Sequence, residues 1–299
     1  MKISKSEKSH RFLNSLLERI AARTGRVVYK RHLLWLLDAS WREPYEKYLE
    51  GDARKRRSSM RIGDRRFMVV QLAKSVTDLR GSTAECGVYT GVGSALICRT
   101  LMDTYGENDR HFGFDSFEGL AKPVQADRSA LATWWEAGDL ATPIEVAGAR
   151  LEEFPFCKLV AGWIPECFTK IDAKDRLYRF VHVDVDLHDA TRDSLDFFYS
   201  RLVPGGIILL DDHGFASCPG ARKAAEDFFA DKIEPLIELP TGQAFVLHAR
   251  IARQPIACRA EFETAMASAP SASALQKSAG VRRPPVMIKV TSLAPLASR

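Results

Sequence analysis

Four carboxylates stand at the ends of two apolar runs. Val181-His182-Val183-Asp184-Val185-Asp186-Leu187 carries Asp184 and Asp186, and Ile207-Ile208-Leu209-Leu210-Asp211-Asp212-His213 carries Asp211 and Asp212. If the runs are neighbouring parallel strands joined by one right-handed crossover, these acids share the carboxyl edge of a sheet, where open α/β sheets place their ligands. At an effective dielectric of about 20, each like-charge pair ~4 Å apart costs roughly 4 kcal/mol. The cluster therefore calls for a positive partner. All-oxygen ligation suits Mg²⁺, Mn²⁺ or Ca²⁺ rather than zinc, so Asp184, Asp211 and Asp212 are expected to hold a divalent metal. Asp189, ahead of Thr191, reads better as a helix cap. His188 and His213 flank the cluster, and His213, directly after the acidic pair, is placed to touch a substrate.

A second constellation lies upstream. Glu85-Cys86-Gly87-Val88-Tyr89-Thr90-Gly91-Val92-Gly93 runs from a strand into a helix. Glycine at 87 and 91 lets the backbone turn sharply and approach a ligand where a Cβ would intrude, and a helix starting near Gly93 offers free N–H groups to the same space. The spacing is not G-x-G-x-x-G, and a carboxylate at Glu85 would repel a pyrophosphate while attracting the ammonium of an amino-acid-like cofactor. That charge sign favours S-adenosylmethionine over a nicotinamide dinucleotide. Asp115 ends the following apolar run, where an acid accepts hydrogen bonds from ribose hydroxyls; Asp115 or Ser116 would equally serve as a helix N-cap.

The elements that must position these groups alternate. Residues 67–79 read as an amphipathic helix, followed by short apolar runs at 82–86, 111–115, 158–161, 179–184, 207–211 and 244–248 with helical stretches between them. Such alternation predicts a Rossmann-like α/β domain: a doubly wound, mostly parallel sheet with helices on both faces. Pro204-Gly205-Gly206 is read as the turn before the strand at 207. The domain is expected over 59–250, preceded by an N-terminal helical extension over 1–58 (Phe12, Leu13, Leu16, Leu17 and Ile20 at helical spacing, then the basic run 54–57). A small-residue-rich tail over 251–299 follows, largely disordered apart from a short helix near 259–267.

Hydrophobic residues at 46% and charged residues at 27% describe an ordinary globular chain, and the net charge of +5 collects in the N-terminal segment and the tail rather than on one motif. No nucleic-acid partner is expected. The six cysteines form no C-x-x-C pair, so a zinc site or disulfide framework is not expected either. The first residues lack an apolar signal core and no run spans a bilayer, which points to a cytoplasmic protein.

Taken together, the chain resembles the macrocin O-methyltransferase-like family of S-adenosylmethionine-dependent methyltransferases. The resemblance rests on Glu85 to Gly91, Phe114-Asp115-Ser116-Phe117-Glu118-Gly119-Leu120, Gly162-Trp163-Ile164-Pro165-Glu166, Asp184-Val185-Asp186-Leu187, and Pro204-Gly205-Gly206 through Asp211-Asp212-His213-Gly214, in the expected order over roughly 60–248. It implies a seven-stranded sheet and methyl transfer to a hydroxyl of a small-molecule acceptor, often a sugar or glycosylated natural product, in an enzyme that is commonly a homo-oligomer. Glu85, Gly87, Tyr89, Gly91, Asp115 and Ser116 would surround the donor, with Gly162, Trp163 and Ile164 near its adenine. Asp184, Asp211 and Asp212 would hold Mg²⁺ or Mn²⁺, and Asp184 and His213 are the candidate catalytic residues, Asp184 as base. The family often has Tyr at positions 188 and 213 and Gly at 185, and the stretch 128–149, with Trp134-Trp135, falls where a substrate lid would form. Rival readings are a phosphatase-like hydrolase or a glycosyltransferase built on the D-x-D carboxylates, or a non-catalytic cofactor-binding protein.

Overall fold

Burial on both faces turns the apolar runs into strands. In the computed structural model, which describes residues 39–49, 55–128, 135–171 and 177–249, seven strands form one sheet in the order β3-β2-β1-β4-β5-β7-β6. They are β1 (Ser82–Cys86), β2 (His111–Asp115), β3 (Cys157–Ala161), β4 (Tyr178–Val183), β5 (Leu202–Leu210), β6 (Ile237–Glu238) and β7 (Ala244–Leu247). Strands β1 to β5 are parallel, and β7 runs antiparallel to β5 and to β6. Chain order reverses between β1 and β4, so the switch point of the doubly wound sheet lies between the tips that carry Gly87 and Asp184.

Among the described residues, six α-helices cover the two faces: α1 (Ala39–Tyr48), α2 (Lys55–Lys74), α3 (Val92–Leu101), α4 (Ile144–Leu151), α5 (His188–Phe198) and α6 (Pro219–Phe229). The period-2 alternation of each strand divides the core accordingly. Ala84, Cys86, Phe112, Phe114, Val181, Val183, Ile208 and Leu210 pack with Leu195, Phe198, Phe228 and Phe229 of α5 and α6. Phe180, Ile207 and Leu209 face Val69, Ala73 and Ile97 of α2 and α3, while Trp41 and Tyr45 of α1 cluster with Val70, Val92 and Leu96. Odd-numbered Thr83 and Glu85, with His182, thus point into the α2/α3 layer, where apolar side chains would be the simpler choice. No helix among the described residues is long and apolar enough to cross a membrane.

Two sequence expectations change. The helix expected over 67–79 spans 55–74; Gly63 weakens its middle, which hides its start. Pro204-Gly205-Gly206 lies inside β5 rather than before it, with Gly205 at φ 85° and a register shift opposite residues 178–180. The two-residue strand β6 carries no periodic signal. The expectations for residues 1–38 and for the tail 251–299 lie outside the described residues.

Candidate active site

Chain reversal at the switch point opens a cavity of about 450 Å³ over the carboxyl ends of β1, β2 and β4. Gly87 makes it possible. Its φ is +84°, and a Cβ there would stand 1.8 Å from the carbonyl oxygen of Asp184, so the tips of β1 and β4 can lie this close only with glycine. Asp184 in turn donates its N–H to the Cys86 carbonyl at 2.9 Å. Gly91, also left-handed, caps α3 and leaves room for Ala147.

At the tip of β2, Asp115 accepts the Tyr89 N–H at 2.8 Å through one oxygen and the Phe117 N–H at 2.7 Å through the other. It therefore holds both cavity loops at once, and Tyr89 and Phe117 sit at positive φ (50° and 59°). Non-glycine residues in this region cost energy and persist where the surroundings fix them. The Asp115→Asn variant turns one acceptor into an NH₂ group facing an N–H. A loss of about 2 kcal/mol is expected, a charge-assisted hydrogen bond given up, and denaturant melts of the two proteins check it.

The far wall is folded over from 119–128 and 135–143. Asp127, buried, accepts the N–H groups of Val124 (2.8 Å) and His188 (2.7 Å), and Leu120 pairs with Asp139 and Gly138 through backbone bonds. This brings Trp135 and Leu140 to the cavity. Trp134 lies outside the described residues.

Of the residues expected around a donor, Gly87, Tyr89, Asp115, Ser116, Trp163 and Ile164 line the cavity, whereas Glu85, Gly91 and Gly162 do not. Glu85 is the informative departure. Its carboxylate is 1% exposed and turned away from the cavity, bound to Ser94 Oγ at 2.5 Å and to His182 Nδ1 at 2.9 Å. The charge argument assigned it a direct contact; a fully desolvated carboxylate instead needs its own partners, and the α2/α3 layer supplies them. His213 also lies off the cavity, buried with Nε2 on Glu238 at 3.2 Å.

The acids of the two strand tips do converge. Between Asp184, Asp211 and Asp212 lies the guanidinium of Arg65, from α2, in an ion pair with Asp211 and 3.6 and 3.4 Å from Asp184 and Asp212. Arg66 reaches Asp184 at 3.3 Å and Glu85 at 3.8 Å. From below, His182 Nε2 meets Asp211 Oδ1 at 3.1 Å and Gln243 donates to the same oxygen at 2.5 Å; the Asp186 N–H bonds Asp212 at 3.0 Å. Every oxygen of the three carboxylates thus faces a nitrogen of the protein. The Arg65 guanidinium thus stands among the carboxylates expected to hold Mg²⁺ or Mn²⁺, and His182, Asp184 and Asp211 offer ligand atoms within 4.8 Å of one another.

The same contacts separate the acidities. Burial opposes ionisation of Asp184, but Arg66 and Arg65 outweigh it and hold its carboxyl below the ordinary value. Burial, then the charge of Asp184, pushes Asp212 up to about 6. Burial, then Asp212 and Asp184, raises Asp186. It stands at φ 59° and takes a contact from Cys218 Sγ at 3.4 Å.

Sequence reading missed Arg65, Arg66, His182, Gln243 and Phe215. Two of them carried a signal. Arg66 precedes Val69, Val70 and Ala73 at helical spacing, on the buried face of α2. His182 follows Phe180 by two residues in a strand, so it had to share a face with Glu85 of the adjoining strand.

Comparison with known proteins places this architecture. Residues 32–241 match the family described as macrocin-O-methyltransferase (TylF). The 8-demethyl-8-(2,3-dimethoxy-alpha-L-rhamnosyl)-tetracenomycin-C 4'-O-methyltransferase of Streptomyces olivaceus is 30% identical over 157 residues, 50% of this chain and 58% of that protein. The mycinamicin III 3''-O-methyltransferase of Micromonospora griseorubida is 28% identical over 159 residues, 50% of this chain and 60% of that protein. The chain thus spans less than two thirds of the length of these relatives. The crystal structure of the calicheamicin methyltransferase CalS11 superposes with a TM-score of 0.55 at 21% identity, covering 70% of this chain and 93% of that one, which supports a shared fold. With its seven-stranded sheet and a matched segment covering most of its length, the chain belongs to the macrocin-O-methyltransferase (TylF) family.

Proposed function

We propose that the chain transfers a methyl group from S-adenosylmethionine to a hydroxyl of a sugar or sugar-bearing small molecule. The observation that carries this reading is one cavity at the switch point, whose lining brings Gly87, Asp115 and Trp163 together with Asp184, Asp212 and Trp135. The first group suits a nucleoside-bearing donor: a glycine turn for close approach, a carboxylate for ribose hydroxyls, an indole and Ile164 for adenine. The second suits a polar acceptor presented to the donor's methyl. The family and the names of the curated relatives, one of which specifies a rhamnosyl tetracenomycin, support the sugar class.

In this reading the donor supplies an electrophilic methyl on a sulfonium, and the protein holds a hydroxyl oxygen in line with it. Alignment of this kind can account for on the order of 7–11 kcal/mol of a barrier. Two carboxylates of unlike basicity meet the hydroxyl. Asp184, kept ionised by both arginines, orients it; Asp212, pushed up to about 6, is better matched to accept its proton near neutral pH. The oxygen then attacks the methyl carbon, and the carbon–sulfur bond breaks with its electrons returning to sulfur.

The test is turnover. The purified chain, with S-adenosylmethionine, is offered a rhamnosyl glycoside, a nucleotide-linked deoxysugar and a sugar-free catechol, and products are read by mass spectrometry. A one-methyl gain on a sugar ring is expected. Methylation of the catechol alone would remove the sugar class. Thermal stabilisation by a nucleotide sugar but not by S-adenosylhomocysteine would favour the glycosyltransferase reading, and donor binding with no product on any acceptor would favour a non-catalytic protein.

A further inference from the structure

The acidic strand tips of this chain meet a cation of the chain's own making. Three independent contacts hold Arg65 there. Its Nη2 lies within ion-pair range of Asp184, Asp211 and Asp212 together. The face of its guanidinium stacks on the Phe215 ring, 4.4 Å from the centroid. Its backbone carbonyl accepts from Gln243 Nε2 at 3.3 Å, the same amide that bonds Asp211.

Phe215 is itself fixed. Its ring stands 2.9 Å from where a Cβ on Gly242 would be, and Gly242 has φ +87°. A side chain that merely fell into an acidic depression would need none of these supports. Arginine suits the task because its planar fork carries a permanent charge, stacks on an aromatic ring and sheds its weak hydration more readily than an ammonium. Formally, Glu85, Asp184, Asp211 and Asp212 contribute four negative charges, and Arg65 with Arg66 return two; the imidazole of His182 lies between Glu85 and Asp211.

We propose that Arg65 takes the place of a divalent cation in this chain. Its guanidinium screens the Asp184–Asp211–Asp212 cluster and, lining the cavity, presents a fixed positive charge to the acceptor side. The inference rests on the methyltransferase reading for the acceptor side, but its test does not.

The experiment measures Mn²⁺ directly. Full-length chain is stripped with EDTA and titrated with Mn²⁺, free ion being followed by electron paramagnetic resonance, for wild type, Arg65→Met and Arg65→Lys. Met keeps an apolar stem of similar length and removes the charge, whereas Lys keeps a charge. Wild type and Arg65→Lys are expected to show no saturable binding. Arg65→Met is expected to open a three-carboxylate site and bind Mn²⁺ at least ~10-fold more tightly than either, a shift of about 1.4 kcal/mol.

Stoichiometric Mn²⁺ binding by wild type, lost in Asp211→Asn, overturns the proposal even if Arg65→Met fails to fold. So does a folded Arg65→Met that gains no Mn²⁺. S-adenosylhomocysteine binding is measured by calorimetry on the same wild-type sample. Its absence would sink the methyltransferase reading and leave the Mn²⁺ result standing. Its presence alongside wild-type Mn²⁺ binding would sink only the proposal about Arg65.

Discussion

Gly87→Ala is expected to abolish measurable binding of S-adenosylhomocysteine, a loss of at least ~100-fold or about 2.8 kcal/mol, and to lower the melting temperature as well. Two costs add. At φ +84° any L side chain enters the left-handed region, for roughly 1–2 kcal/mol. The larger cost is steric, because the new Cβ would meet the Asp184 carbonyl oxygen at 1.8 Å and its carbon at 2.8 Å. Both neighbours are backbone, so no rotamer change relieves the contact. The tips of β1 and β4 must part, and the bond from the Asp184 N–H to the Cys86 carbonyl goes with them. Gly138→Ala separates the two terms. Gly138 has φ +89° but nothing within 4 Å of its missing Cβ, so it should lose only the conformational part and bind S-adenosylhomocysteine as wild type does. Equal binding losses in the two variants would show that the steric argument at the switch point is wrong.

The switch point was legible in the sequence because the features that build it are local. An apolar run, a glycine and an acid at the end of the run are neighbours in the chain, and strand alternation with helices fixes which edge of the sheet they share. Hence the tips of β1, β2, β4 and β5 are where periodicity put them, and Asp184 meets Asp211 and Asp212. The occupant of that meeting place was not legible. Repulsion among carboxylates demands a positive charge but does not say whose, and Arg65 lies 119 residues before Asp184 in a helix whose start Gly63 obscured. Glu85 failed for a related reason. Its sign pointed to a cationic neighbour, yet burial at 1% exposure decided that this would be Arg66, with the imidazole of His182 alongside, rather than a ligand.

His182→Ala is expected to be the most damaging single change away from the cavity lining. The imidazole is fully buried and binds a carboxylate through each nitrogen, Glu85 at 2.9 Å and Asp211 at 3.1 Å. Removing it leaves two desolvated acids each short of a partner, beside a void the size of the ring. Breaking buried charged contacts of this kind costs about 3–5 kcal/mol. In a chain of this size that is a fall of roughly 6–20 °C in melting temperature. His182→Gln, with a donor able to reach one carboxylate but not both, should lie between the alanine variant and wild type. The two acids belong to different parts of the site: Glu85 sits beneath the glycine turn at Gly87, and Asp211 anchors Arg65. If the imidazole ties these parts together, Gln should also weaken S-adenosylhomocysteine binding although residue 182 does not line the cavity. An alanine variant that melts within ~1 °C of wild type would mean that water or Arg66 satisfies both carboxylates, and that the polar row beneath the strand tips carries none of the site's rigidity.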